Sequence, residues 1–240
     1  MNLRFIGAFT WYYGINSIPR GISYVVSSLL YPLVFLFLIT IFSAGRLIDF
    51  AVVGGFLTII ASNAVYGSAD AAFQRIQLRI QDLFVATRIS SLDYNFGLAF
   101  SYLATALPGL VLYVFIGLYL SIFSALPFLA FIGVMLVLLI AVMAISIVIT
   151  GLIRHVRNLW GVMAIVNVLL TTVPPSFYPY TILPKWALYI LMVSPVTPAA
   201  MLSQWLFGLS PFAWYALPVL AIEAIVYFAI AMHMSGWRER

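Results

Sequence analysis

Charged side chains stand so far apart in this 240-residue chain that six apolar stretches run between them with at most one charge each. They cover roughly residues 22–43, 50–70, 97–123, 127–152, 158–173 and 212–234. A helix needs about 20 apolar residues to cross the hydrocarbon core of a bilayer, so each stretch is long enough, or nearly so, to span. Composition supports this: hydrophobic residues are 65% of the chain and charged residues 7%, against about 45–50% and about 25% in a soluble domain. The sequence therefore describes an all-α polytopic membrane protein with six transmembrane helices. Disordered, collagenous and disulfide-rich classes are excluded. With no cysteine, thiolate chemistry and Cys-based metal sites are excluded as well.

A further apolar stretch, 174–210, carries Pro174, Pro175, Pro179, Pro184, Pro195 and Pro198. Proline lacks the backbone donor and clashes with the preceding helical turn, so a straight seventh span does not fit. Two short helices, about 186–193 and 199–208, fit better, each reaching only partway across as a re-entrant hairpin. Basic residues concentrate on the cytoplasmic side of membrane proteins, and this arbitrates between six spans and seven. With six, Arg4, Arg20, Arg75, Arg79, Arg88, Arg154, Arg157, Arg238 and Arg240 lie inside, and Arg46 and Lys185 outside. A seventh span would move Arg238 and Arg240 outward and weaken the asymmetry. Both termini are thus expected to be cytoplasmic.

Residues 1–20 show no small-residue cleavage site after a short apolar core, so they do not read as a signal peptide. Phe5, Phe9, Tyr12 and Asn16 recur at helical spacing, Trp11 and Tyr13 add rings suited to the headgroup level, and Arg4 and Arg20 flank the segment. An interfacial helix is expected. The chain reads as one transmembrane domain, 1–240, with this helix, a cytoplasmic loop over 71–96 and the hairpin over 174–210.

Several chemistries lack their residues. The phosphate-cradling Gly-rich loop with its lysine is missing, and the one lysine, Lys185, follows Pro184. Any nucleotide hydrolysis must then sit on another polypeptide, with ATP and Mg bound there and no cofactor or metal on this chain. His155 and His233 have no second ligand at i+3 or i+4, whereas a closed metal site needs about four ligands. Nothing in the pattern calls for nucleic acid. Glu223, in the middle of the last span, is an ionisable group in lipid and so a candidate proton or cargo contact; a carboxyl hydrogen-bonded to a neighbouring helix or subunit is the alternative. Asp70, at the inner end of the second span, is expected to anchor the interface beside Arg75.

The cytoplasmic loop is the richest segment. From Phe73 to Val85, Phe73, Ile76, Ile80, Leu83 and Phe84 fall on one helical face and Arg75, Arg79 and Asp82 on another, with Gln74, Gln77 and Gln81 extending the polar side. Such a helix suits either a soluble partner or lipid headgroups. In the hairpin, Pro-interrupted helices at membrane depth must line protein or a water-filled cavity. Phe177, Tyr178 and Trp186 are therefore candidate rings of an external gate, with an interfacial aromatic belt as the alternative.

Two runs resemble a known family. The inner run Gln81-Asp82-Leu83-Phe84-Val85-Ala86-Thr87-Arg88-Ile89-Ser90, followed by Tyr94 and Gly97-Leu98, is similar to the acidic-x-Leu/Phe-x-x-Ser/Thr-Pro-Val-Ser segment of type-2 ATP-binding-cassette (ABC) exporter permeases. The outer run Tyr178-Pro179, Leu183-Pro184, Trp186 and Ser194-Pro195-Val196-Thr197 resembles their Tyr/Phe-Pro, Leu-Pro and Asn-Pro-Leu-Thr signature. The likeness is to the membrane subunits of daunorubicin-resistance and nodulation-factor exporters, and especially to archaeal-type members. Arg88 stands where the family usually has proline, Leu98 where lysine often follows the glycine, and Ser194 where asparagine is usual.

The resemblance implies a plasma-membrane permease subunit paired with an ABC ATPase and with a second permease copy or paralogue. It would export a hydrophobic or amphipathic cargo, drug-like, lipid or glycolipid, by alternating access. The absent basic segment before the first span points away from polysaccharide. By position the inner helix resembles the family's coupling helix, which implies Phe84 as the apolar anchor on the ATPase and Arg79, Asp82, Thr87 and Arg88 as polar contacts. An ion-coupled secondary carrier and a non-transporting membrane scaffold are the rival readings. Carriers often show matching broken helices in two halves, and here only the second half is broken.

Overall fold

A computed structural model describes residues 2–78, 84, 86, 87, 89–153 and 155–234. Its regular elements are all helical. The main helices are α1 (Leu3–Phe9), α2 (Ile22–Phe42), α3 (Ile48–Ile76), α4 (Ser91–Tyr119), α5 (Ala125–Leu152), α6 (Val156–Asn167), α7 (Lys185–Leu191), α8 (Val196–Leu206) and α9 (Ala216–Met234). Four of them are long and apolar enough to cross a membrane: Ile48–Ile76, Leu92–Tyr119, Ala125–Leu152 and Ala216–His233. Two further apolar helical segments, Leu29–Phe42 and Val156–Thr172, are shorter.

α3 is the centre of the bundle, packed by α2, α4, α5, α6 and α8. Between helices in lipid there is no hydrophobic drive, so association depends on close van der Waals approach and small residues. Gly54 shows why: a Cβ there would stand 2.3 Å from the carbonyl oxygen of Ser176. Only glycine lets the 174–177 segment lie directly on α3. α9 packs chiefly on α5 and α8.

The N-terminal segment is helical, but α1 passes into a π-helical turn over Thr10–Gly14 and a 3₁₀ turn over Ile15–Ser17. A π turn carries an extra residue per turn. The ring aligned with Phe9 is consequently Tyr13, stacked at 4.5 Å, while Tyr12 turns outward beside Trp11, both more than 60% exposed. The expected face Phe5, Phe9, Tyr12, Asn16 is thereby corrected to Phe5, Phe9, Tyr13.

Two boundaries also shift. The second long helix does not end near 70 but runs on to Ile76, so Phe73–Ile76 belong to α3 rather than to a separate inner helix. The proline-rich stretch holds two short helices, α7 and α8, bent by 115° at the break between them, and the second begins at Val196 rather than near 199. Pro195 takes the N-cap and Pro198 the first turn, positions whose N–H groups have no intrahelical partner in any case.

Candidate functional site

From Phe50 to Ala69, every residue of α3 is buried except Ser62 and Tyr66. Below them Asp70, Ala71, Phe73 and Gln74 are half-buried. Thr58, Ser62, Tyr66, Asp70 and Gln74 recur at i+4, a line that drifts slowly around the helix. Between Phe50 and Ala69 the central helix is therefore partly uncovered only at two members of that line, Ser62 and Tyr66, while Thr58 is fully buried. Thr58 Oγ1, Ser62 Oγ and Gln74 Oε1 are buried and accept or donate no hydrogen bond among the described residues.

α6 supplies the facing wall. The Tyr66 hydroxyl meets the side chain of Asn167, whose Oδ1 is buried and unpaired among the described residues. Thr171 Oγ1 donates to the Asn167 carbonyl at 2.7 Å, and the Tyr31 hydroxyl of α2 is hydrogen-bonded to Thr172 Oγ1. The backbone here is a π turn, Val168–Thr172, a departure common at functional sites. An unpaired polar atom in hydrocarbon costs about 2 kcal/mol or more. A cluster of them along a partly uncovered line calls for water or a hydrogen-bonding ligand. This site was absent from the sequence reading, although the i+4 recurrence of polar residues in an apolar helix was the signal that marks it.

The segment from Pro175 to Tyr180 is fastened by Gln204, which is fully buried. Its Oε1 accepts from the Tyr180 N–H at 3.3 Å and from Ser210 Oγ at 3.0 Å. Its Nε2 donates to the carbonyls of Pro175 at 2.7 Å and Tyr178 at 3.0 Å. The Tyr180 hydroxyl adds a bond to the Pro211 carbonyl at 2.8 Å. The three candidate gate rings are placed differently from one another. Phe177 is buried and stacked on Phe35 of α2 at 4.9 Å; Tyr178 is half-buried and donates to the Val173 carbonyl; Trp186 on α7 is exposed.

At the inner end, Phe84 does not stand free. Its ring packs at 5.5 Å from Phe5, 5.8 Å from Phe9 and 5.6 Å from Tyr94. Thr87 is exposed, and its hydroxyl donates to the Phe84 carbonyl at 2.7 Å. Arg79, Asp82 and Arg88, expected as polar contacts, lie outside the described residues, as do Arg154, Arg238 and Arg240. α4 opens with a capping box in which Ser90 Oγ accepts from the Asp93 N–H and Asp93 accepts from the Ser90 N–H. The same carboxylate accepts the Asn2 N–H at 2.6 Å, tying α1 to the start of α4. Burial raises the Tyr13 hydroxyl's pKa above its ordinary value, and neighbouring Tyr12 adds to this.

Glu223 sits on α9, buried, with Oε2 unpaired among the described residues; it is not part of the α3 line. No protein-family model and no curated protein matches the chain.

Proposed function

We propose that this chain is the membrane-spanning subunit of an ABC exporter that moves an amphipathic cargo outward, powered by a separate ATPase and completed by a second permease copy or paralogue. The observation that carries this reading is the polar line on α3, partly uncovered at Ser62 and Tyr66 in an otherwise buried stretch. A buried central helix whose gaps there fall on hydrogen-bonding side chains is suited to border a water-filled path, and one six-helix bundle is too small to enclose that path alone. The six-span topology takes α2 and α6 as spans. Val156–Thr172 has 17 residues, at the short end of the ~17–25 that suffice. Both termini and the loop before Ser90 then face the cytoplasm, and the Gln204-fastened hairpin closes the outer end as the gate.

In this reading the inner loop receives the mechanical work. Phe84, packed on Phe5, Phe9 and Tyr94, passes movement of the loop to the interfacial helix and to α4, while Thr87 and the polar residues Arg79, Asp82 and Arg88 meet the ATPase. Glu223 serves as a second, separate polar contact in the last span.

The test is reconstitution in proteoliposomes with and without the ATPase. Export of a lipophilic dye that requires both ATP and the ATPase is the expected result. Transport by the permease alone, driven by a proton or sodium gradient, would establish the ion-coupled carrier instead.

A further inference from the structure

We infer that a groove between α5, α8 and α9 is a binding site for one acyl chain of a membrane phospholipid. The groove holds about 410 Å³ and is open along one side. Gly133 and Val137 of α5, Leu202 and Trp205 of α8, Leu220 of α9, and Phe212 in the preceding loop line it, and every lining side chain is apolar or aromatic. It lies at the end of the bundle shared by the start of α5 and the end of α8, which is the outer leaflet in the six-span reading.

The occupant follows from chemistry and position. An apolar void forfeits dispersion contacts on its empty side, and water finds no polar partner in it. With no charge in the lining and the Trp205 indole N–H its one side-chain hydrogen-bonding group, the complementary ligand is hydrocarbon. The open side is continuous with surface presented to the bilayer, where Leu129 and Leu136 of α5 and Leu217 and Ile222 of α9 are exposed. Trp205 and Phe212, 4.5 Å apart, close one end. Tryptophan, apolar in body and polar at its N–H, is favoured where hydrocarbon meets the headgroup level, so a chain in the groove would leave its headgroup outside. The groove is built by small residues: a Cβ on Gly133 would meet nothing within 4 Å, so the missing side chain is space rather than packing.

This inference rests on the membrane reading but not on transport, and its test needs no cargo. Of the six tryptophans, Trp205 is kept alone in one full-length variant and Trp214 alone in another, the rest being phenylalanine. Trp214 is 74% exposed and reports ordinary boundary lipid. Both are reconstituted in phosphatidylcholine brominated in mid-chain, which quenches indole on contact, and then diluted into unlabelled lipid. Trp205 is expected to keep about half or more of its quenching, in line with a ligand largely enclosed by its pocket, while Trp214 recovers fully. Gly133→Leu, which adds a side chain only to open space, is expected to abolish the retained quenching. Ala221→Leu, from the facing helix, serves as a second filling variant should the first fail to fold. Recovery of Trp205 as complete as that of Trp214, or retention unaffected by both filling variants, would overturn the site. So would a Trp205 that is unquenched from the outset and cross-links to a second copy, because the groove would then be a protein interface.

Discussion

Replacing Gln204 with alanine is expected to unfasten the outer segment and to lower stability by about 3 kcal/mol or more, since each stranded buried polar group costs about 1–3 kcal/mol. One side chain here holds three stretches of chain together, through the carbonyls of Pro175 and Tyr178, the Tyr180 N–H and the Ser210 hydroxyl. Its removal strands the N–H and both carbonyls. Gln204→Glu keeps the size but loses both donors, so the loss should be similar, and Gln204→Met should not rescue it. Thermal unfolding of the purified protein in detergent reads the effect. An unchanged midpoint in Gln204→Ala would show that the hairpin is held by its apolar contacts alone.

Truncating Phe84 is expected to have the second-largest effect, on coupling rather than on the bundle. The ring is half-buried against three others, and aromatic pairs contribute about 0.5–1.5 kcal/mol each beyond area burial. A loss of about 2 kcal/mol corresponds to roughly a thirtyfold fall in the population with the loop seated. Cargo-stimulated ATP hydrolysis in the reconstituted complex should fall accordingly. The structure supplies a discriminating control in Phe5, which lies on α1. If Phe84 acts by pinning the loop to α1, Phe5→Ala reproduces the loss; if it acts as a direct anchor on the ATPase, Phe5→Ala leaves stimulation intact. Full stimulation in Phe84→Ala itself would remove the loop from the coupling role.

The spacing of charges was sufficient to find the apolar helices, because in lipid only continuous helices satisfy their backbone and their ends must reach water. The hairpin was legible for a related reason: its prolines forbid a straight span and are tolerated at the first turns, where Pro195 and Pro198 lie. What the sequence did not disclose depends on registers that local pattern does not fix. The π turn at Thr10–Gly14 decides between Tyr12 and Tyr13, and no composition rule signals one extra residue in a turn. Gln204 reads as an ordinary polar residue near a helix end until three partners from the 175–180 stretch and the nearby Ser210 converge on it. The α3 line was written in the i+4 recurrence from Thr58 to Gln74, but its meaning came from burial, since only the fold shows that Ser62 and Tyr66 are the half-buried positions between Phe50 and Ala69. Phe84 is expected to face a partner because the inner run resembles a coupling helix, whereas in the fold its ring packs on Phe5, Phe9 and Tyr94.

The central claim is that the α3 line borders a water-filled path where it is partly uncovered, at Ser62 and Tyr66. Because the native chain has no cysteine, single cysteines at Ser62 and Tyr66 can be probed with a charged, membrane-impermeant methanethiosulfonate, which reacts only with thiols in contact with water. Cysteine at Ile225, 69% exposed on α9, reports a lipid-facing position, and cysteine at Leu57, fully buried, reports the packed interior. The account predicts that Ser62→Cys and Tyr66→Cys are modified in proteoliposomes while Ile225→Cys and Leu57→Cys are not, and that ATP with the ATPase changes the rate at the first two. Cysteines at Ser62 and Tyr66 as inert as the one at Ile225 would place that line against lipid or protein and contradict it.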